Sequence, residues 1–228
     1  MSRAVRVALI GARGQMGRAI IEAAKESSKI EIVAECDLRD SIEKALSNSN
    51  VIVDFSHADS AEEICRAAAA NHRALVIGTT GHTARQKERI EDAANVVPIV
   101  FASNFSVGVN ILFALSREAA ELFGNEFKVQ IVETHHTRKK DAPSGTAKTL
   151  AQIVEMARKS DDETPIESIR EGDVVGDHRI LFSGPGEQLE LTHRASSRGI
   201  FAHGALRAAE WIVGKSPRLY SMQDVIGL

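Results

Sequence analysis

The chain has 228 residues, of which 43% are hydrophobic, so it is long and apolar enough for one or two packed domains. Its formal net charge of -3 gives no reason to expect binding to nucleic acid or to a membrane surface. The two cysteines, Cys36 and Cys65, lie in apolar segments, which predicts free thiols in a reducing cytoplasm rather than a disulfide framework. No apolar run approaches about 20 residues, so we expect no membrane span.

The first 37 residues predict a strand, a helix and a second strand. Residues 4–10 are rich in β-branched side chains, residues 15–27 are predicted to be helical, and residues 30–36 form the next strand. The first turn reads Gly-x-x-Gly-x-x-Gly from Gly11 to Gly17, not the commoner Gly-x-Gly-x-x-Gly. Glycines between a strand and a helix let the backbone approach a diphosphate, whose charge the helix N-terminus favours. This context predicts dinucleotide binding; the alternative is a plain glycine turn.

An acidic residue follows the second strand at the position where such units bind ribose. Asp37 lies about 20 residues after the glycine turn, where a carboxylate accepts hydrogen bonds from the ribose hydroxyls. A carboxylate there repels a 2′-phosphate, and Leu38 adds no charge. We therefore predict NADH as the favoured cofactor and leave NADPH open, because Arg13 and Arg39 are nearby cations that could hold the phosphate.

Three further strands extend the first half of the chain. The predicted strands are 51–55, 74–77 and 96–101, and helices are predicted at 58–70 and 83–94. Strands that alternate with helices predict a parallel sheet. The segments Asp54–His57 and Gly78–Gly81 end two of these strands, so we expect them at the sheet edge that holds the nicotinamide half of the cofactor.

The pattern changes in the second half. A long helix is predicted over 107–123 and ends at Gly124-Asn125. Only one clear helix, 146–158, interrupts the strands that follow, which are predicted at 127–134, 166–170, 178–183 and 188–192. Consecutive strands favour a mixed or antiparallel sheet, so a second domain of α+β type is predicted. A turn at Pro185, a helix over 201–214 and a short tail from Ser221 complete the chain.

The stretch between the strand at 127–134 and the helix at 146–158 holds the strongest candidate site. His135 and His136 can transfer protons near neutral pH. In the segment 143–146, a serine can cap the helix, a glycine lets the backbone approach, and the helix N-terminus favours a carboxylate. Lys139 would supply positive charge, so the stretch predicts a pocket for a small carboxylic acid beside a proton donor. The alternative is a solvated loop with a basic surface patch.

The motifs of the whole chain resemble those of the 4-hydroxy-tetrahydrodipicolinate reductase (dihydrodipicolinate reductase) family. The central motif is Glu133-Thr134-His135-His136, followed by Lys139 and by Asp141-Ala142-Pro143-Ser144-Gly145-Thr146-Ala147. The glycine turn, Gly78–Gly81, residues 102–110 and residues 191–198 extend the resemblance.

The resemblance implies a fold, a reaction and an assembly. The fold is α/β, with a Rossmann-like parallel-sheet domain of residues 1–106 and 199–228 and an α+β substrate-binding and oligomerisation domain of residues 107–198 with a mixed sheet. The reaction is the NAD(P)H-dependent reduction of 4-hydroxy-tetrahydrodipicolinate to tetrahydrodipicolinate in lysine and diaminopimelate biosynthesis. The implied protein is a cytoplasmic homotetramer that acts on a small dicarboxylate, without nucleic acid, membrane or metal.

The resemblance also implies roles for individual residues. His135 falls on the family's acid/base histidine and Lys139 on its lysine proton donor. The substrate-binding positions are His136, Ser144, Gly145 and Thr146. The cofactor-binding positions are Gly11, Ala12, Arg13, Gly14, Gln15, Met16, Asp37, Gly78, Thr79, Thr80, Ala102, Ser103, Asn104 and Phe105.

The chain departs from the family pattern in two ways. Some members carry an arginine where this chain has Leu38, which bears on NADPH affinity, and the chain is shorter than many members after Asp37 and after Ser160. Two other functions stay open from the residues alone: a Rossmann oxidoreductase that acts on another small molecule, and a dinucleotide-sensing regulator. A regulator would keep the glycine turn but would not need the cluster from His135 to Thr146.

Overall fold

The computed structural model describes residues 4–37 and 40–228. They form two compact units. The N-terminal unit comprises the chain up to Ser106 together with Gly199–Leu228, and the central unit comprises Val107–Arg198.

A six-stranded parallel sheet organises the N-terminal unit. Its strands are β1 (Val5–Ile10), β2 (Ile30–Cys36), β3 (Val51–Asp54), β4 (Ala74–Ile77), β5 (Ile99–Phe101) and β10 (Leu219–Tyr220), in the order β10-β5-β4-β3-β1-β2. Every residue of β3 and β4 is buried. Such continuous burial is typical of parallel strands whose two faces are both covered by helices.

Helices cover this sheet. They are α1 (Gln15–Lys25), α2 (Ile42–Leu46), a 3-10 turn (Ala58–Ser60) that runs into α3 (Ala61–Ala70), α4 (Ala84–Ala94), α7 (Gly199–Ile212) and α8 (Met222–Ile226). Thr83 begins α4 and Ser221 begins α8, each through a reciprocal capping box. Helix α7 packs on α1, and β10 pairs with β5, so the C-terminal segment completes this unit.

The central unit is a mixed sheet with helices on one face. Its elements are α5 (Val107–Phe123), β6 (Lys128–His135), α6 (Gly145–Arg158), β7 (Ile166–Arg170), β8 (Gly176–Gly184) and β9 (Glu187–Ala195). The strand order is β7-β6-β8-β9, in which β6 and β7 are parallel across α6 and the other pairs are antiparallel. Side chains of β6 and β8, including Ile131, Ile180 and Phe182, pack with α5 and α6 into one core.

The predicted fold class is confirmed: a Rossmann-like parallel sheet and a separate mixed sheet. Strand β5 begins at Ile99, three residues later than predicted, directly after Pro98, which cannot donate a backbone hydrogen bond. The predictions missed α2, α8 and β10, which have two to five residues each. Elements this short depend on tertiary partners. Cys36 and Cys65 are buried free thiols, and among the described residues no helix is long and apolar enough to cross a bilayer.

Candidate functional site

The glycine turn of the N-terminal unit has the geometry of an anion-binding loop. Gly11 has a φ of 84°, and a Cβ at this position would collide with the carbonyl of Phe55, so only glycine fits. Gly14 is the N-cap of α1 and has no side chain with which to cap the first turn of the helix. The helix N-terminus therefore presents donors to an anion.

A cavity of about 480 Å³ lies at the carboxyl edge of the parallel sheet. It is lined by residues 14–16 of the glycine turn, by residues 55–58 after β3 and by residues 78–81 after β4. Three sequence-distant segments thus meet in one concave site, and the candidate cofactor residues Gly14, Gln15, Met16, Gly78, Thr79 and Thr80 belong to it. Their meeting follows from the parallel order, which brings strand ends to one edge.

The remaining candidate cofactor residues lie outside this lining. The Asp37 Oδ2 accepts a hydrogen bond of 3.0 Å from the Arg13 N–H, so the acid is tied to the glycine turn. Leu38 and Arg39, on which the predicted cofactor preference also depends, lie outside the described residues. The segment Ala102, Ser103, Asn104 and Phe105 follows β5, and the buried Phe105 ring lies 5.5 Å from that of Phe55.

Beside the cavity, β3 ends in a buried acid. Asp54 is 1% exposed and accepts hydrogen bonds from both the backbone N–H and the hydroxyl of Ser56. Burial raises the pKa of Asp54 above its usual value, although the Ser56 hydrogen bonds oppose this shift. Its neutral form is therefore favoured relative to a carboxyl group in water.

In the central unit, strand register gathers a second polar cluster. Glu133 on β6 pairs with His178 on β8, which in turn pairs with His193 on β9, and His135 pairs with Arg170 on β7. Alternation along β6 places Glu133 and His135 on the same face as Ile131, so the cluster continues the core row. The neighbouring hydrophobic residues make it a buried site.

Glu133 is the anionic centre of this cluster. It is 0% exposed, its Oε2 accepts a hydrogen bond from His135 Nδ1, and its Oε1 lies 2.9 Å from Arg170 Nη2. Burial by itself would raise the pKa of Glu133, but the Arg170 guanidinium, the Ser168 hydroxyl and His135 together hold this pKa below its usual value. The group is thus a buried carboxylate with a cationic partner.

The two histidines of the cluster are held neutral. Burial lowers the pKa of His135, against the opposing effect of the Glu133 carboxylate. Burial and the nearby His135 lower the pKa of His178 to about 4. The rings of His135 and His178 meet edge to face with centroids 5.1 Å apart, and His178 Nε2 lies 3.3 Å from the hydroxyl of Ser144.

Lys139 lies in the loop that leaves β6. Its Nζ is 2.8 Å from Asp141 Oδ1, and this ion pair lowers the pKa of Asp141. Arg170 Nη2 donates to the Asp141 carbonyl oxygen at 2.6 Å, so the same guanidinium contacts both the loop and Glu133. The His136 N–H donates to the Val174 carbonyl at 2.7 Å, which fixes the start of the loop.

The candidate carboxylate-binding residues lie at the N-terminus of α6. The Ser144 hydroxyl accepts a hydrogen bond of 3.2 Å from the Ala147 N–H, which confirms the predicted cap. Gly145 and Thr146 form the first turn of this 14-residue helix, where backbone N–H groups favour an anion. Through His178, Ser144 is connected to the cluster that contains His135 and Glu133.

Three residues of these sites were given no functional role in the sequence predictions: Glu133, Arg170 and His178. Glu133 and His178 could have been noticed, because each continues an alternating row of inward-facing hydrophobic residues with a polar one. Arg170 carries no comparable signal, since its partners come from sheet register and loop packing.

The side chains of Glu133, His135 and His178 also have the spacing of a metal site. One ligand atom from each lies within 4.8 Å of the others. The Arg170 guanidinium occupies one oxygen of Glu133 and His135 Nδ1 contacts the other, so a cation would have to displace both. Hydrogen bonding accounts for the cluster without a metal.

Known proteins match this chain over nearly its full length. The family model for the N-terminus of dihydrodipicolinate reductase matches residues 5–105, and the model for its C-terminus matches residues 108–226. The 4-hydroxy-tetrahydrodipicolinate reductase of Akkermansia muciniphila is 45% identical and that of Methanoculleus marisnigri is 43% identical, with 98% of this chain covered in both cases and 98% and 100% of the relatives.

A solved structure shares the fold. It is a dipicolinate-bound dihydrodipicolinate reductase from Paenisporosarcina sp. TG-14, which is 25% identical, has a TM-score of 0.84 and covers 99% of this chain, with 100% of its own chain covered. Two family models together span both units, and two relatives are more than 40% identical over 98% of this chain. The chain therefore belongs to the 4-hydroxy-tetrahydrodipicolinate reductase (dihydrodipicolinate reductase) family.

Proposed function

We propose that the protein reduces 4-hydroxy-tetrahydrodipicolinate to tetrahydrodipicolinate with NAD(P)H, in lysine and diaminopimelate biosynthesis. Membership of the family is one support. The observation in the structure that carries the proposal is the cluster of His135, Lys139 and the Ser144-capped helix in one unit of a chain whose other unit has a dinucleotide-binding fold. A regulator that only senses the dinucleotide would have no need for this cluster.

The chemistry requires a proton donor and an anion-binding surface. A bound nicotinamide supplies the hydride. Hydride addition to a conjugated imine builds negative charge on the substrate, and Lys139 protonates the site where this charge develops. His135 is the second proton-transfer group of the proposed site.

The substrate is a dianion, and the central unit offers donors suited to it. Ser144, Gly145 and Thr146 at the N-terminus of α6 bind one carboxylate through the helix start. His136 is the first residue of the loop after β6, and its Nε2 lies 3.5 Å from Arg198 Nη2. The solved family member that was determined with dipicolinate supports a planar dicarboxylate as the ligand class.

NADH is the proposed cofactor of choice. The Asp37 carboxylate follows β2 and is held toward the glycine turn by the Arg13 N–H, where it can accept hydrogen bonds from ribose hydroxyls. A 2′-phosphate would meet like charge at this position. The remaining cofactor-binding residues are the candidates in the glycine turn and after β4 and β5.

The decisive experiment follows nicotinamide absorbance with enzymatically generated 4-hydroxy-tetrahydrodipicolinate, using NADH and NADPH in parallel. We expect substrate-dependent oxidation with both and a higher kcat/KM for NADH. Tight NADH binding without oxidation would instead support a dinucleotide sensor. Oxidation with another small carboxylate but not with this substrate would support a different oxidoreductase.

We further propose a homotetramer that assembles through the central unit in the cytoplasm. Ile169 is 36% exposed and Leu181 is half-buried, and alternation places both on the sheet face opposite to α5 and α6. Exposed apolar side chains on an uncovered sheet face favour association. The buried free thiols suit a reducing compartment. Light scattering coupled to size-exclusion chromatography measures the assembly, and a monomer would contradict it.

A further inference from the structure

The contact with Arg170 keeps the buried Glu133 side chain ionised, so that Glu133 can accept a hydrogen bond from His135. The Glu133 carboxylate has no solvent exposure and uses its two oxygens on different partners, Arg170 and His135. An ionised carboxylate accepts hydrogen bonds and donates none. The proton between Glu133 and His135 therefore belongs to the ring nitrogen Nδ1.

The state of the second ring nitrogen follows from the first. A neutral imidazole carries one N–H, so a ring that donates from Nδ1 has an unprotonated Nε2. The His135 side chain is 10% exposed, and burial keeps it neutral by lowering its pKa. In the resting protein, His135 therefore presents a hydrogen-bond acceptor, not a donor, at Nε2.

The backbone of β8 leaves room at this nitrogen. A Cβ at Gly176 would lie 3.0 Å from His135 Nε2 and 3.3 Å from its Cδ2, closer than side chains normally pack. A glycine at this position thus keeps the Nε2 side of the ring clear, while Glu133 holds the Nδ1 side.

We propose that Glu133 is a positioning residue of the reductase: it accepts the Nδ1–H of His135, holds the ring in the tautomer with an unprotonated Nε2, and is itself kept ionised by Arg170. This inference rests on the proposed role of His135 in proton transfer. A proton taken up at Nε2 makes the ring an imidazolium, which the Glu133 carboxylate stabilises, and the proton leaves by the same nitrogen. Glu133 never loses or gains a proton in this cycle.

The groups that face His135 determine the direction of the effect. Glu133 on its own strand favours the protonated ring, whereas Lys139 from the loop and Arg170 from β7 disfavour it. His178 from β8 is the remaining neighbour, and it is held neutral. Glu133 is therefore the anion in direct contact with the ring, and removing its charge lowers the pKa of His135 further.

The first test reads the tautomer directly. Long-range ¹H–¹⁵N NMR of the full-length protein at pH 7, with the His135 signals assigned by His135→Asn, should show a protonated Nδ1 and an unprotonated Nε2. The opposite tautomer in the wild-type protein would overturn the proposal whatever the activity. This measurement needs no turnover, so it separates failure of the inference from failure of the proposed reaction.

The second test uses Glu133→Gln, with Glu121→Gln on the exposed surface of α5 as the matched control. We expect kcat to fall by about tenfold or more. The acidic limb of the pH profile of kcat/KM should move to lower pH, because His135 stays unprotonated down to a lower pH. The control should match the wild-type protein. A loss of activity without movement of the limb would indicate a purely structural role and would refute the proposal.

Metal analysis supplies the remaining discriminating outcome. If Glu133 were a ligand together with His135 and His178, the purified protein would hold one equivalent of a divalent ion that Glu133→Gln loses. Such a result would overturn the hydrogen-bonding role. We expect sub-stoichiometric metal in both proteins.

Discussion

The two units each bury a carboxyl group near a candidate site, and the two groups are in opposite electrostatic environments. Asp54 in the N-terminal unit is 1% exposed and is hydrogen-bonded by Ser56. Glu133 in the central unit is 0% exposed and contacts Arg170 and His135. Burial raises the pKa of Asp54, whereas the cationic partner lowers that of Glu133 in spite of burial.

The difference shows that burial alone does not decide the charge of an acid. Hydroxyl and amide donors only partly offset the desolvation of Asp54, but a guanidinium in direct contact more than offsets that of Glu133. The N-terminal unit accordingly offers backbone hydrogen-bond donors to a cofactor, together with a carboxyl group whose neutral form is favoured. The central unit offers fixed charges, which suits proton transfer to a dianionic substrate.

Replacement of the charged loop residue should give the largest effect. Lys139→Ala removes the proposed proton donor, so we expect kcat to fall by about 10²- to 10⁴-fold. NADH affinity, measured by fluorescence titration, should not change. The neighbouring exposed Lys140→Ala is the control and should retain most activity. Normal turnover in Lys139→Ala would contradict the role of Lys139 as the proton donor.

Matched amide substitutions test the two carboxyl groups directly. Glu133→Gln leaves the Arg170 charge without its partner, so we expect a loss of about 3–5 kcal/mol in the free energy of unfolding. Asp54→Asn keeps an acceptor for Ser56 and should cost about 1 kcal/mol. Urea unfolding at pH 7 measures both, and equal losses would mean that the two environments do not differ.

The two variants should also differ in pH dependence. The lowered pKa of Glu133 adds stability above the unfolded pKa that is lost as pH falls through the folded pKa. The raised pKa of Asp54 has the opposite effect: the stability that it adds below the unfolded pKa is lost as pH rises through the folded pKa. Glu133→Gln should therefore flatten the acid side of the stability profile. Asp54→Asn should become more stable relative to the wild-type protein as pH rises above about 4.

His178 tests the same cluster at lower pH. Its pKa is lowered to about 4, so the folded protein binds fewer protons than the unfolded chain as pH falls from the ordinary histidine value. We expect this group to remove about 3 kcal/mol of stability between pH 6.5 and pH 4. His178→Gln should lose correspondingly less over this interval in urea titrations. An identical pH profile would place the histidine in a more polar environment than the structure indicates.

The smallest effect is expected for the carboxylate that is partly exposed, Asp37. Asp37→Ser removes the like charge that opposes a 2′-phosphate, so the ratio of kcat/KM for NADPH over NADH should rise by about tenfold. Stability should change little, because the Asp37 side chain is 28% exposed. An unchanged ratio would mean that residues other than Asp37 determine the cofactor preference.

Much of the protein was predictable from local sequence patterns. The glycine turn, the alternation of strands with helices, and the switch to consecutive strands after α5 determined the two sheet types. Helix α5 and strand β7 have the predicted bounds, because a long amphipathic helix and a short β-branched strand ended by clear punctuation need little tertiary help. The candidate site residues from His135 to Thr146 were identified by their chemistry and by a family motif.

Only the tertiary structure decided which charges meet. In the sequence, Glu133 lies next to the end of one predicted strand and Arg170 at the end of another. Nothing local links these two residues, which are 37 positions apart. Parallel pairing of β6 with β7 and antiparallel pairing with β8 bring Arg170 and His178 around Glu133 and His135. Sequence periodicity sets which face a side chain occupies, but strand register sets its neighbours, and in a buried site the neighbours determine protonation.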